Sequence, residues 1–150
     1  MTRRVDTRHT MCAVPEAPEA LPPHEATRTN TVLLCDDAVA FSVIFRRWMA
    51  SCGVEVVGQA DSADQAVSLA TEHQPAVIVI DHLLRDVTSE GLAPRLRAAA
   101  PEARMLLISG MPDDQLAAAA RASGVDAHLS KAASARAMCE SVQRLLDRGR

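Results

Sequence analysis

Five polar residues each stand just past a short apolar run. Asp36 and Asp37 follow Thr31-Val-Leu-Leu-Cys35, and Asp81 follows Ala76-Val-Ile-Val-Ile80. Ser109 follows Arg104-Met-Leu-Leu-Ile108, and Lys131 comes after the run Val125 to Leu129 and Ser130. If these runs are neighbouring strands, three carboxylates, a hydroxyl and an ammonium share one rim. Crowded carboxylates repel, so they either protonate or bind a cation. A site built only of oxygen ligands favours Mg²⁺ or Ca²⁺ over zinc, and Mg²⁺ leaves positions open for phosphate oxygens. A carboxylate can attack a phosphoryl group and form an aspartyl phosphate. A nearby ammonium and hydroxyl would stabilise the charge on the phosphoryl oxygens. Asp81, alone on the central run, is the nucleophile candidate, and Asp36 and Asp37 would hold the metal. Lys131 is the only lysine in the chain; the other 15 basic residues are arginines. A compact ammonium and a planar guanidinium are not interchangeable at a tight anion site, so position and residue type agree.

The elements that must place these residues can be read from periodicity. The runs at 31–35, 76–80 and 104–108 are continuously apolar, as strands buried on both faces are. Val54-Glu-Val-Val57 and Val125 to Leu129 supply two more. Helical patterns fill the gaps. Phe41, Phe45 and Trp48 recur at i, i+4, i+7 and are all the aromatic residues of the chain, so they form one stripe facing the sheet. Ser62 to His73 is the second helix, and Gly91 to Ala100 the third, with Pro94 tolerated near its first turn. Pro112 opens the fourth, with Asp113 and Asp114 at its positive end, and Gly124 closes it. Ala133 to Leu146 is the fifth. Five strands alternating with five helices predict an α/β fold, a (βα)5 three-layer sandwich of the flavodoxin-like type with parallel sheet order 2-1-3-4-5. In such sheets the ligand site lies outside the carboxyl ends of the strands. Residues 1–30 differ: four of the eight prolines fall between Pro15 and Pro23 and the charges cancel. We expect a disordered N-terminal tail over 1–30 and one domain over 31–150.

Composition closes off other classes. The net charge of −3 argues against a dedicated nucleic-acid binder. No apolar run approaches the roughly 18 residues of a membrane span, and without a compact apolar stretch before a small-residue cleavage site no secretory signal is expected. Cys12, Cys35, Cys52 and Cys139 show no CxxC spacing, which fits reduced thiols in a cytoplasmic protein rather than a zinc or thioredoxin motif.

With the acidic pair Asp36-Asp37, Asp81 in VIVID, Ser109 in LLISG and Lys131 in GVDAHLSK, the chain resembles a response-regulator receiver domain of two-component signalling, in its CheY-like, stand-alone form. The resemblance covers about residues 31–147. It implies that Asp36, Asp37, Asp81 and the backbone carbonyl of Leu83 bind Mg²⁺. It implies that Asp81 is the phospho-acceptor and that Ser109 and Lys131 contact the phosphoryl group. The donor would be a histidine kinase or a histidine phosphotransfer protein. Phosphorylation would draw Ser109 inward, residue 128 would turn into the vacated space, and the face formed by the fourth helix, fifth strand and fifth helix would change. That face would meet a downstream protein target, and a homodimer through it is plausible. The chain departs from the family pattern in three places. Leu84 and Arg85 stand where Met-Pro is frequent, with the following glycine late at Gly91, so an altered loop is expected there. His128 stands where Tyr or Phe is usual, which raises the idea of a pH-sensitive switch. Ala132 replaces the proline that often follows the lysine.

Three further readings complete the analysis. His82 is adjacent to Asp81, and neighbouring strand residues point to opposite faces, so it should face away from the site. Leu83 and Met111 flank the site and cannot orient a water by hydrogen bonding, so self-dephosphorylation should be slow. Residues 132–150 supply only the last helix and an Arg148-Gly-Arg150 end, so the expected output is protein–protein contact. Two alternatives remain: a phosphorylation-independent pseudo-receiver adaptor, and an Asp-nucleophile phosphatase. The second lacks the acid such enzymes usually carry two residues after the nucleophile, since that residue is Leu83.

Overall fold

The computed structural model describes residues 29–149. The tail expected over 1–30 therefore lies outside the described residues, except for Thr29 and Asn30, which turn into the first strand. The chain then runs β1 (Thr31–Cys35), α1 (Val39–Ser51), β2 (Glu55–Ala60), α2 (Ala63–His73), β3 (Val77–Asp81), β4 (Leu83–Leu84), β5 (Val87–Thr88), α3 (Ser89–Ala99), β6 (Arg104–Ser109), α4 (Asp113–Ser123), β7 (Ala127–Ser130) and α5 (Ala135–Arg148). Five strands form one sheet in the order β2-β1-β3-β6-β7, and every pairing in it is parallel. Counting only these five, the order is the expected 2-1-3-4-5. β4 and β5 are a separate antiparallel pair.

Why the central strands carry no alternation is clear from their packing. Leu33, Cys35, Ile78, Ile80 and Met105 face one helical layer with Ala66, Ala70, Leu92 and Leu96. Val32, Leu34, Val77, Val79, Leu106 and Ile108 face the other, with Phe45, Met49, Met138, Val142 and Leu145. Both faces are covered, so both residue parities are apolar. Each fully buried aliphatic side chain contributes about 1.5–3 kcal/mol relative to exposure. The aromatic stripe lies where expected. Phe45 is fully buried, while Phe41 and Trp48 are half-buried against the same cluster. The ring of Phe41 lies 6.0 Å from that of Phe45 and meets Trp48 edge-on at 6.1 Å.

Helix ends follow local chemistry with two corrections. Ser62 caps α2 by accepting from the Gln65 amide, and Ser134 caps α5 by accepting from that of Ala137. α5 thus runs Ala135–Arg148 instead of 133–146. Gly124 ends α4 at φ +69°, a left-handed conformation glycine adopts without cost. The third helix starts at Ser89, two residues before the expected Gly91. The reason is tertiary: the Ser89 amide donates to the His82 carbonyl at 2.9 Å. Pro94 consequently falls inside the helix instead of in its first turn.

Phe45 fills the space between α1 and the sheet. Truncation by Phe45→Ala is expected to cost about 3–5 kcal/mol, read as a lower urea midpoint by circular dichroism.

Candidate functional site

Strand register gathers the polar residues at one edge. Cys35 pairs with Ile80 across β1 and β3, so Asp36 and Asp81 leave the sheet side by side. Asp81 pairs with Ile108, which puts Ser109 one step beyond on β6. Ser109 pairs with Ser130, and Lys131 follows. The Lys131 amide donates to the Ser109 carbonyl at 2.9 Å, anchoring the loop. That loop is a tight turn in which the Ala132 amide donates to Ser130 Oγ at 3.2 Å, and the Lys131–Ala132 peptide is trans.

The three carboxylates form a compact cluster. Asp36, Asp37 and Asp81 each offer an oxygen, and these oxygens lie within 4.8 Å of one another. Asp36 is fully buried, Asp81 half-buried and Asp37 exposed. The Lys131 ammonium lies 2.6 Å from Asp36 Oδ2 and 3.1 Å from Asp81 Oδ2. It also sits 4.6 Å from the centre of the Phe41 ring, a cation–π contact that fixes its approach. Asp36 Oδ1 accepts from the Ala38 amide at 2.8 Å. Asp36 Oδ2, despite the nearby ammonium, receives no aligned hydrogen bond. Three carboxylates against one ammonium leave an uncompensated negative charge in a partly dry pocket. A buried acceptor without a hydrogen bond, among oxygen donors only, fits a hard divalent cation such as Mg²⁺.

The titration behaviour follows from this geometry. Burial raises the Asp81 pKa, the Lys131 ammonium pulls it part of the way back, and the Asp36 charge raises it further. The Leu83 backbone N–H faces the Asp81 carboxylate and favours its charged form. For Lys131, burial works against the charge, but the close pairing with Asp36 and Asp81 outweighs it and lifts the pKa.

Ser109 is buried, and its Oγ accepts from the Met111 amide at 3.2 Å. Met111 is half-buried and Leu83 is 64% exposed. His128 is exposed on the edge strand β7, beside Leu107, and is not part of the cluster.

The loop after Asp81 is altered as the departures suggested, and its form is a short hairpin. Leu83 pairs with Thr88 and Leu84 with Val87. Leu84 is buried in the core, which anchors the hairpin. At its turn Arg85 pairs with Asp61 at 3.4 Å, and Asp86 Oδ1 accepts from the Ala63 amide at the start of α2. The late glycine fits its place: a Cβ on Gly91 would come within 3.0 Å of Val87 Cγ2. His82 faces away from the acidic cluster, as strand alternation predicts. Its Nδ1 lies 2.8 Å from Ser89 Oγ, which in turn lies 2.8 Å from Ser123 Oγ. This buried chain ties the residue after Asp81 to the end of α4. Ser89, Ser123 and the Phe41 contact were not foreseen; Ser89 and Ser123 lie on different helices, and no sequence spacing pairs them.

A cleft of about 530 Å³ opens at the opposite end of the strands, beside Ala76, Arg97 and Arg104. It shares no residue with the acidic cluster.

A family model of the response regulator receiver domain matches residues 32–143. The chain belongs to this family. VraR, a response regulator protein of Staphylococcus aureus, is 25% identical over 117 residues, covering 77% of this chain and 56% of that protein. The chain thus spans about half the length of the curated relatives it matches. The signal receiver domain of NarL from Mycobacterium tuberculosis superposes with a TM-score of 0.73 at 25% identity, over 80% of this chain and 98% of that one. A CheY-like receiver domain protein from Methanospirillum hungatei JF-1 superposes with a TM-score of 0.72 over 81% of this chain and 96% of that one. Its 19% identity speaks to fold alone. Receiver domains of this family are phospho-acceptor switches that bind Mg²⁺ in an acidic pocket and interact with histidine kinases or phosphotransfer proteins. Among the described residues no helix is long and apolar enough to cross a membrane.

A raised carboxyl pKa means that the folded state holds the Asp81 proton more tightly than the unfolded chain does. Charged Asp81 therefore opposes folding at neutral pH, and that penalty fades as pH falls through its folded pKa. In metal-free buffer Asp81→Asn is expected to raise the urea midpoint at pH 7, with the gain shrinking as the pH is lowered toward 4. Unfolding titrations of both proteins across that range measure it.

Proposed function

We propose that Asp81 accepts a phosphoryl group from a phosphohistidine on a histidine kinase or histidine phosphotransfer protein, with Mg²⁺ in the acidic pocket. The chain then works as a switch and not as an enzyme that turns over a substrate. The observation that carries this reading is the convergence of Asp36, Asp37 and Asp81 within 4.8 Å beside the single lysine, whose ammonium is 3.1 Å from Asp81 Oδ2. In the transfer an Asp81 carboxylate oxygen forms a bond to phosphorus. The phosphorus–nitrogen bond of the donor breaks, and the imidazole leaves with the electron pair and takes up a proton. Bound Mg²⁺ supplies positive charge to the phosphoryl oxygens, and the carboxylates of Asp36, Asp37 and Asp81 with the Leu83 carbonyl would hold it. Lys131 adds its ammonium and Ser109 its hydroxyl to the same oxygens.

The donor's approach has support on the surface. Val39, Val43, Ile44 and Leu83 are the exposed large hydrophobic residues among those described. Val39, 73% exposed, begins α1 only two residues after Asp37. An apolar border around an acidic pocket suits a protein donor better than a small phosphate ester.

The output follows from how α4 is packed. α4 rests on a small cluster of Leu107, Leu116, Ala119 and Ala120, apart from the two larger cores. Leu116 is its one large buried side chain, and a helix held mainly by small residues shifts at low cost. Movement of Ser109 toward the phosphoryl group would open space for His128, which is now exposed, and the α4–β7–α5 face would reorganise. That face would contact a downstream protein and is also the surface through which two copies would pair.

Incubation with acetyl phosphate and Mg²⁺ is expected to add one phosphoryl group by intact mass. The adduct should be absent with EDTA and absent in Asp81→Asn. A phosphoryl group retained in Asp81→Asn would overturn the assignment. Because Leu83 and Met111 offer no hydrogen bond to water, Leu83→Asn and Met111→Glu should each shorten the phosphoryl half-life several-fold, followed by mass after removal of the donor.

A further inference from the structure

Two of the cysteines meet at a place the phosphoryl chemistry does not use. Cys52 caps the C-terminal end of α1, and Cys139 lies in the second turn of α5. Two hydrogen bonds hold these helix segments side by side. Cys139 Sγ donates to the Trp48 carbonyl at 3.2 Å, and Gln143 Nε2 donates to the Cys52 carbonyl at 3.1 Å. Trp48 precedes Cys52 by one helical turn and Gln143 follows Cys139 by one. Cys139 therefore reaches the carbonyl one turn before Cys52, and the two cysteines stand on facing helix segments. Both are half-buried against the core, and Cys52 also lines an open cleft of about 300 Å³ with Val54, Gln143 and Leu146. A small oxidant can reach Cys52 there, and Cys139 is itself only half-buried.

We propose that Cys52 and Cys139 are a redox-sensitive thiol pair that hydrogen peroxide converts to a disulfide, locking α5 onto the end of α1. Burial, then the neighbouring Cys139 thiol, push the Cys52 thiol up to about 12, so it keeps its proton at neutral pH. This makes Cys139 the attacking sulfur and Cys52 the resolving one. The Cys139 thiolate attacks one peroxide oxygen, the O–O bond breaks, and the departing hydroxide takes the proton Cys139 released, giving a sulfenic acid and water. Cys52 sulfur then attacks the sulfenic sulfur. Its proton joins the second departing hydroxide, so two thiols and one peroxide yield one disulfide and two waters. Cys35 is fully buried, and burial followed by the Asp36 charge pushes its thiol up to about 12, so it stands outside this chemistry. α5 begins just after the Lys131 loop and carries part of the proposed output face. A covalent tie at Cys139 would restrict that helix whatever the state of Asp81.

The test uses the full chain carrying Cys12→Ser, treated with millimolar hydrogen peroxide. The expected result is a mass loss of two hydrogens and a non-reduced peptide joining Cys52 to Cys139, both reversed by dithiothreitol. Adding Cys52→Ser should replace the mass loss by oxygen addition at Cys139. In the oxidised chain, amide exchange around Cys139 should slow several-fold. Oxygen additions on separate cysteines without the linked peptide, in protein whose Trp48 fluorescence remains native, would overturn the proposal. So would a linked peptide containing Cys35. Unchanged exchange in the fully linked protein would overturn the locking of α5.

Discussion

Everything in this molecule that bears on function rests on a charge imbalance at the carboxyl ends of the strands. Asp36, Asp37 and Asp81 crowd together, and one ammonium, that of Lys131, answers them. Burial sharpens the conflict, since Asp36 is fully enclosed and its Oδ2 receives no aligned hydrogen bond. Such an arrangement costs stability in the resting chain. It is kept because the hydrophobic layers on both sides of the sheet over-determine the positions of β1 and β3. The same imbalance makes the site receptive to a divalent cation and then to a phosphoryl group, whose charges complement it in turn.

The surroundings suggest how a change at Asp81 spreads. The Leu83 N–H faces the Asp81 carboxylate, the hairpin it belongs to is anchored by Leu84 in the core, and His82 passes contact through Ser89 to Ser123 at the end of α4. On the other side Lys131 is tied by its backbone to Ser109, whose strand leads into α4. Both routes reach α4, one at each end. Coupling through packed elements with few alternative arrangements needs only small displacements at the source.

Much of this was legible in the sequence. Continuous apolar runs announced strands covered on both faces, and a residue just beyond each run belongs at a sheet edge, so the placement of Asp36, Asp81, Ser109 and Lys131 followed from the strand order. The orientation of His82 followed from strand alternation. Features set by tertiary contacts were not legible. The start of α3 at Ser89 depends on a hydrogen bond to the His82 carbonyl, and the two-residue strands of the hairpin are too short for any period to show. The Phe41 ring reads as core by its spacing, yet it also supports the lysine, because one side chain can serve both through its edge and its face. The contact that brings Cys52 and Cys139 onto facing segments joins two helices far apart in the chain, where spacing rules have no reach.

The most direct test of the central claim is a calorimetric titration of the chain with Mg²⁺, alongside Asp36→Asn, Asp81→Asn and Lys131→Met. If the unbalanced carboxylate cluster is the cation site, wild type takes up one Mg²⁺ per chain. Both aspartate variants then bind more weakly, and Lys131→Met binds more tightly because the competing ammonium is gone. Mg²⁺ uptake as strong in Asp36→Asn and Asp81→Asn as in wild type, or weaker in Lys131→Met, would contradict the account.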